Sequence, residues 1–138
     1  MVATASLAIA ACSSDSEGGD DKAADTTAAA SSQGYTVLTP QEGKELLESG
    51  TALTLIDVRT PVEFAEGHIE GAVNADIEGG AFSQYIADLD KDAVYVVYCR
   101  SGRRSALAAQ AMEAAGFTKV YDLGGIVDWQ AAGYPLVS

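Results

Sequence analysis

Hydrophobic and polar positions divide the chain into two regimes. Before residue 35 the only apolar run is residues 1–11, and residues 13–34 hold no aromatic and no large aliphatic side chain. From residue 35 onward two rhythms alternate. Short β-prone or mostly apolar runs at 35–38, 52–58, 71–74, 93–98 and 119–122 predict strands. Between them, segments 40–50, 61–65, 81–89, 103–115 and 126–132 predict helices. In the third of these, Phe82, Tyr85, Ile86 and Leu89 share one face. The first opens on Thr39-Pro40-Gln41-Glu42, an N-cap with Pro in the first turn and Glu three residues on. Gly50, Gly116 and Gly133 close three helices. The run Val94-Tyr95-Val96-Val97-Tyr98 is the strongest strand signal, as expected of a central strand buried on both faces.

Strands alternating with helices predict an α/β domain with a parallel sheet and helices on both faces, over residues 35–138. In such sheets the active site lies at the carboxyl ends of the strands. Cys99 stands there, directly after the strongest strand and before the strongest helix.

Residues 13–34 cannot bury enough apolar area to offset their ordering entropy and read as a flexible linker with a mean span of roughly 25 Å. Residues 1–12 are too short for a membrane span. Leu7-Ala8-Ile9-Ala10-Ala11-Cys12 resembles a bacterial lipoprotein cleavage box, although no Lys or Arg precedes it. That resemblance implies a signal segment, lipidation of Cys12 and a lipid anchor on the extracytoplasmic face of a membrane in the cell envelope. Without the lipid, the expectation is a secreted or periplasmic protein.

Charge changes the picture in one place. The 138 residues carry a net −12. That argues against nucleic-acid partners and against a polybasic membrane surface. Two cysteines and the single His68 provide neither a disulfide framework nor a zinc site, and no metal or cofactor is expected. Yet three of the four arginines, Arg100, Arg103 and Arg104, follow Cys99 within five positions.

The segment Cys99-Arg100-Ser101-Gly102-Arg103-Arg104-Ser105 therefore reads as a reactive-thiol loop. A helix start offers unpaired N–H groups and a positive dipole end, guanidinium groups are near, and Gly102 permits a tight turn. All three favour thiolate over thiol. Asp57 and Arg59 end the second strand, face the same sheet edge and are expected to support the loop by hydrogen bonding. Arg100 is a candidate for holding an anionic substrate and Arg104 for a structural role at the helix start, an assignment that charge alone leaves open. Ser101 and Ser105 are candidate loop hydrogen-bonders or helix caps.

The pattern Cys-Arg-Ser-Gly-x-Arg-Ser resembles that of the rhodanese sulfurtransferase family. Two more blocks agree: Asp57-Val58-Arg59-Thr60-Pro61-Val62-Glu63-Phe64 with Gly67-His68-Ile69-Glu70-Gly71-Ala72-Val73-Asn74, and Leu123-Gly124-Gly125-Ile126-Val127-Asp128-Trp129 with Gly133-Tyr134-Pro135. Glu70 stands where the family usually has Pro. The resemblance implies a single rhodanese domain with a five-stranded parallel sheet, and a loop from Cys99 to Arg104 that cradles sulfur. It also implies a Cys99 persulfide that takes sulfur from thiosulfate or a similar small anionic donor and passes it to a thiol or to cyanide. A sulfur-carrier role toward a protein partner uses the same persulfide. Cys-dependent phosphatases place Arg six positions after Cys in a longer cradle; position 105 here is Ser, and Tyr98 replaces their usual His. A thiol-redox role needs a resolving Cys, for which Cys12 is the only and a poor candidate.

Overall fold

The computed structural model describes residues 34–138. The segments read as leader and linker lie outside the described residues, Gly34 apart. Elements follow in the order β1 (Thr36–Val37), α1 (Pro40–Glu48), β2 (Thr54–Asp57), α2 (Pro61–Glu66), β3 (Val73–Asn74), α3 (Ala81–Ala87), β4 (Val94–Cys99), α4 (Arg103–Ala114), β5 (Lys119–Gly125) and α5 (Ile126–Ala131). The five strands form one sheet in the order β1-β5-β4-β2-β3, and every pairing is parallel.

Side-chain alternation on the central strand divides the core in two. Tyr95, Val97 and Cys99 point into one layer, packed with Phe82 and Ile86 of α3 and Ala108, Ala109 and Met112 of α4. Val96 and Tyr98 point into the other, with Leu46 and Leu47 of α1 and Ile126 and Trp129 of α5. Small alanines let α4 approach the sheet closely. Both α1 and α2 begin with complete capping boxes, Thr39 with Glu42 and Thr60 with Glu63, each with Pro in the first turn. Those signals are local, and they place the helix starts where the sequence does.

One element departs from expectation. The last strand does not stop at residue 122 but runs on through Gly124-Gly125 to the start of the last helix. A bulge offsets the register: Val97 pairs with Asp122, but Tyr98 pairs with Gly124 and Cys99 with Gly125. Leu123 is the extra residue, Gly124 takes φ +86°, and the Asp122 carboxylate accepts the Gly124 N–H at 2.8 Å. β5 thereby continues alongside β4 to the cysteine.

A buried polar knot fixes the other neighbour of β4. The Tyr98 hydroxyl donates to Asp57 Oδ2 at 2.8 Å and accepts the Ile69 N–H at 3.0 Å. Tyr98 and Asp57 are wholly buried. Burial and the neighbouring Asp57 carboxylate both push the Tyr98 phenol up, so it stays a neutral donor. Removing that hydroxyl strands the buried Ile69 N–H and takes one of its donors from Asp57 Oδ2, which keeps Arg59. Tyr98→Phe is expected to cost about 1–3 kcal/mol in urea unfolding without changing the m-value; a midpoint equal to wild type would contradict this account.

Candidate active site

The loop that follows β4 is shaped by the strand beside it. A Cβ on Gly125 would stand 2.4 Å from the Arg100 carbonyl oxygen and 2.7 Å from Ser101 Cα, so only glycine allows the loop to lie on β5. The Val127 N–H then donates to the Arg100 carbonyl at 3.2 Å. Gly102 reverses the chain with φ +104°, a conformation that side chains disfavour. Its N–H donates to Cys99 Sγ at 2.9 Å. No side chain caps α4, so the first N–H groups of that helix remain available to an anion. The Ser105 hydroxyl lies 3.1 Å from the Gly102 carbonyl and 3.4 Å from that of Gly124, joining the loop to the bulge. Cys99 itself is wholly buried, a sulfur at the floor of a turn of backbone.

Asp57 and Arg59 form a buried pair. Arg59 Nη2 donates to Asp57 Oδ2 at 2.6 Å and to the Gly67 carbonyl at 2.7 Å, while Nε reaches Asp57 Oδ1 at 2.9 Å. Burial works against the Arg59 charge, and the Asp57 hydrogen bonds and field overcome it, so the guanidinium is held above its ordinary value. Among the described residues neither side chain bonds to the 99–105 loop. They reach it through Tyr98, the residue before the cysteine, and through α2, whose entering segment they anchor. Asn74 Nδ2 adds bonds to the carbonyls of Asp57 and Arg59 at 3.0 and 2.8 Å.

The arginines separate into two kinds. Arg104 is engaged: its Nη1 and Nη2 donate to Glu63 Oε1 and Oε2 at 2.9 and 3.1 Å, and Glu78 lies 3.8 Å away. The side chains of Arg100 and Arg103 are exposed and have no hydrogen bond or ion pair among the described residues. Ser101 is exposed at the rim. The sheet edge thus presents two uncommitted guanidinium groups beside the Cys99 turn, which suits an anionic ligand.

Three functional neighbours escaped the sequence reading. Glu63 carried a signal as the N3 residue of a capping box, but its bond to Arg104 spans 41 residues. Tyr98 read as a packing residue. Asp122 carries a buried carboxyl that burial pushes up, opposed by hydrogen bonds from Ser105 and Gly124. His68 stacks on Phe64 at 3.7 Å and pairs its backbone with Val137, a structural post. Among the described residues no cluster of His, Cys, Asp and Glu is placed to hold a metal.

Comparison with known proteins agrees with this geometry. The rhodanese-like domain family matches residues 39–132. The putative sulfurtransferase YtwF of Bacillus subtilis is 40% identical over 67% of this chain and 87% of its own. The thiosulfate sulfurtransferase GlpE of Ectopseudomonas mendocina is 36% identical, with 68% and 84% covered. The probable adenylyltransferase/sulfurtransferase MoeZ of Mycobacterium tuberculosis is 43% identical over 74% of this chain, which spans only 26% of that longer protein. Among solved structures, the Alr3790 protein from Anabaena superposes with a TM-score of 0.65 at 31% identity, covering 73% of this chain and 91% of that one.

The Glu63–Arg104 pair yields a pH test. The Arg104 guanidinium holds the Glu63 carboxyl at about 2, below its ordinary 4.5, against the opposing effect of burial. A carboxylate depressed on folding contributes stability above its unfolded value and loses it as pH falls through the folded one. The melting temperature should therefore decline as pH drops from about 4.5 toward 2. Glu63→Gln keeps the length needed to cap Thr60 but loses the charge. It should flatten that decline and lower Tm at pH 7 by a few degrees. Superimposable profiles for the two proteins would refute a stabilising role for the pair.

Proposed function

The chain belongs to the rhodanese-like domain family, and from that membership we propose that it is a sulfurtransferase that moves sulfane sulfur through a Cys99 persulfide. The donor is thiosulfate or a similar small anion, and the acceptor is a thiol or cyanide. The observation that carries this reading is the closed turn from Cys99 to Arg104, with the sulfur at its floor and the Gly102 N–H on the sulfur at 2.9 Å. The name borne by the GlpE relative supports thiosulfate as donor.

In the first step the Cys99 thiolate attacks the outer sulfur of thiosulfate. A Cys99 Sγ–S bond forms, the S–S bond of thiosulfate breaks, and sulfite leaves with the electron pair. Two substrates then react in turn with one sulfur, which predicts ping-pong kinetics. In the second step the carbon of cyanide, or an acceptor sulfur, attacks the outer persulfide sulfur. Thiocyanate or an acceptor persulfide departs, and the thiolate is restored. Backbone N–H groups at the α4 start hold negative charge close to the sulfur, and Arg100 and Arg103 draw the anionic donor to the mouth. The chemistry uses the protein's own residues, with no metal or cofactor taking part. Arg104, occupied by Glu63, supports the loop's far end. A phosphatase would need such an arginine on the bound phosphate.

The N-terminal segment decides where this happens. On the proposed reading Cys12 is lipidated and residues 13–34 tether the domain to the extracytoplasmic face of a membrane. Among the described residues no helix is long and apolar enough to cross a membrane.

Two measurements test these proposals. Thiosulfate should raise the intact mass of the protein by one sulfur atom and support thiocyanate production, and Cys99→Ser should abolish both. Normal thiocyanate production by that variant would overturn the mechanism. Separately, the full-length product in a lipoprotein-processing bacterium should sediment with membranes and Cys12→Ala should release it. A fully soluble wild type would refute the anchor.

A further inference from the structure

We propose that the sulfur acceptor is a small thiol that carries both an ammonium and a carboxylate, an amino-acid thiol, bound in the cavity beside Arg100; this specifies the acceptor of the sulfurtransferase reading and rests on it. The cavity, about 290 Å3, lies between α2, the start of α5 and the first residue after Cys99. Four charged side chains line it: Arg59, Glu63, Glu66 and Arg100. Two of these are committed within the protein. Arg59 is held by Asp57 and the Gly67 carbonyl, and Glu63 by Arg104 and the Thr60 cap. The other two, Arg100 and Glu66, are exposed and have no partner among the described residues. The cavity therefore offers one free cation and one free anion, with Val127 and Leu136 as apolar wall.

That set discriminates between ligand classes. A sulfur oxyanion is attracted by Arg100 but meets a like charge at Glu66. A thiol with only a carboxylate has the same conflict, and an aminothiol without one leaves Arg100 unmet. A zwitterion satisfies both groups, and its short methylene stem suits the apolar wall. Arg100 follows Cys99 directly in the chain, so a head group held there keeps its sulfur beside the persulfide turn. Transfer then proceeds by attack of the acceptor thiolate on the outer persulfide sulfur. The acceptor S–S bond forms, the Cys99 Sγ–S bond breaks, and its electron pair returns to Sγ. The outer sulfur, protonated from solvent before the attack, carries that proton into the acceptor persulfide, and Cys99 is left as thiolate.

The test starts from persulfide-loaded protein, freed of thiosulfate, so that the donor step drops out. The rate at which the sulfur is taken is measured with L-cysteine, cysteamine, 3-mercaptopropionate and cyanide. These acceptors differ in intrinsic reactivity, so each is read as the ratio of wild type to variant. Glu66→Gln should slow cysteine and cysteamine about threefold or more, speed 3-mercaptopropionate, whose carboxylate no longer faces a like charge, and spare cyanide. Arg100→Gln should slow cysteine and 3-mercaptopropionate by a similar factor and spare cysteamine. Ratios that change equally for all three thiols, or for none, would overturn the proposal. A protein that takes up sulfur and gives it to cyanide, yet shows no such pattern, fails this inference alone. A protein that never takes up sulfur fails the sulfurtransferase reading and this inference with it.

Discussion

The close approach of the Gly125 backbone to the Arg100 carbonyl governs the rest of the site. The loop after β4 can lie on β5 only if the facing residue has no Cβ, since that atom would stand 2.4 Å from the oxygen. The bulge at Leu123 brings that glycine opposite Cys99. Without the bulge Gly124, not Gly125, would pair with Cys99, and Leu123 with Tyr98. The Asp122 carboxylate steadies the bulge through the Gly124 N–H, and Ser105 ties it to the loop. The cysteine's position thus depends on a neighbouring strand more than on its own.

From that constraint the division of charge follows. A turn packed this tightly has no room for an arginine side chain inside it, so the positive charge close to the sulfur comes from backbone N–H groups. The guanidinium groups are displaced outward, where they take different partners. Arg104 meets Glu63, which also caps α2, so one carboxylate joins the starts of two helices at the same sheet edge. Arg100 and Arg103 meet nothing among the described residues. Read by region, the net charge is −4 before residue 35 and −8 after it. The uncommitted arginines are a small positive opening in a negative surface, which favours small anions over extended ones.

How much of this was legible depends on the range of the signal. Helix starts were legible because Thr39 with Glu42 and Thr60 with Glu63 are local. The buried β4 was legible because a strand covered on both faces needs an unbroken apolar run. The cysteine loop was legible because its chemistry is contiguous. The Tyr98 hydroxyl was not, because its partners Asp57 and Ile69 are 41 and 29 residues away and an apolar-strand tyrosine ordinarily packs. The Leu123 bulge was hidden for another reason. Two adjacent glycines signal a turn equally well, and only the register against β4 tells a strand's bulged end from a loop. The reach of Asp57 and Arg59 was mislocated for the same cause: their sheet edge was clear, but their bonding partners were not.

Burial of the nucleophile is the remaining point, and it sets what can react. A sulfur with no exposed surface is closed to bulky electrophiles and to a second cysteine on a folded partner. The proposed donor must therefore present a transferable atom that is terminal and narrow, as the outer sulfur of thiosulfate is. Once transferred, that atom stands about 2 Å beyond Sγ. On the proposed mechanism the persulfide brings the reactive centre from the floor of the turn outward, toward Arg100. Access is thus asymmetric between the half-reactions. On that mechanism the buried sulfur selects a slender donor and the raised sulfur admits a larger acceptor, and the loop's contact with Gly125 fixes how deep the cysteine lies.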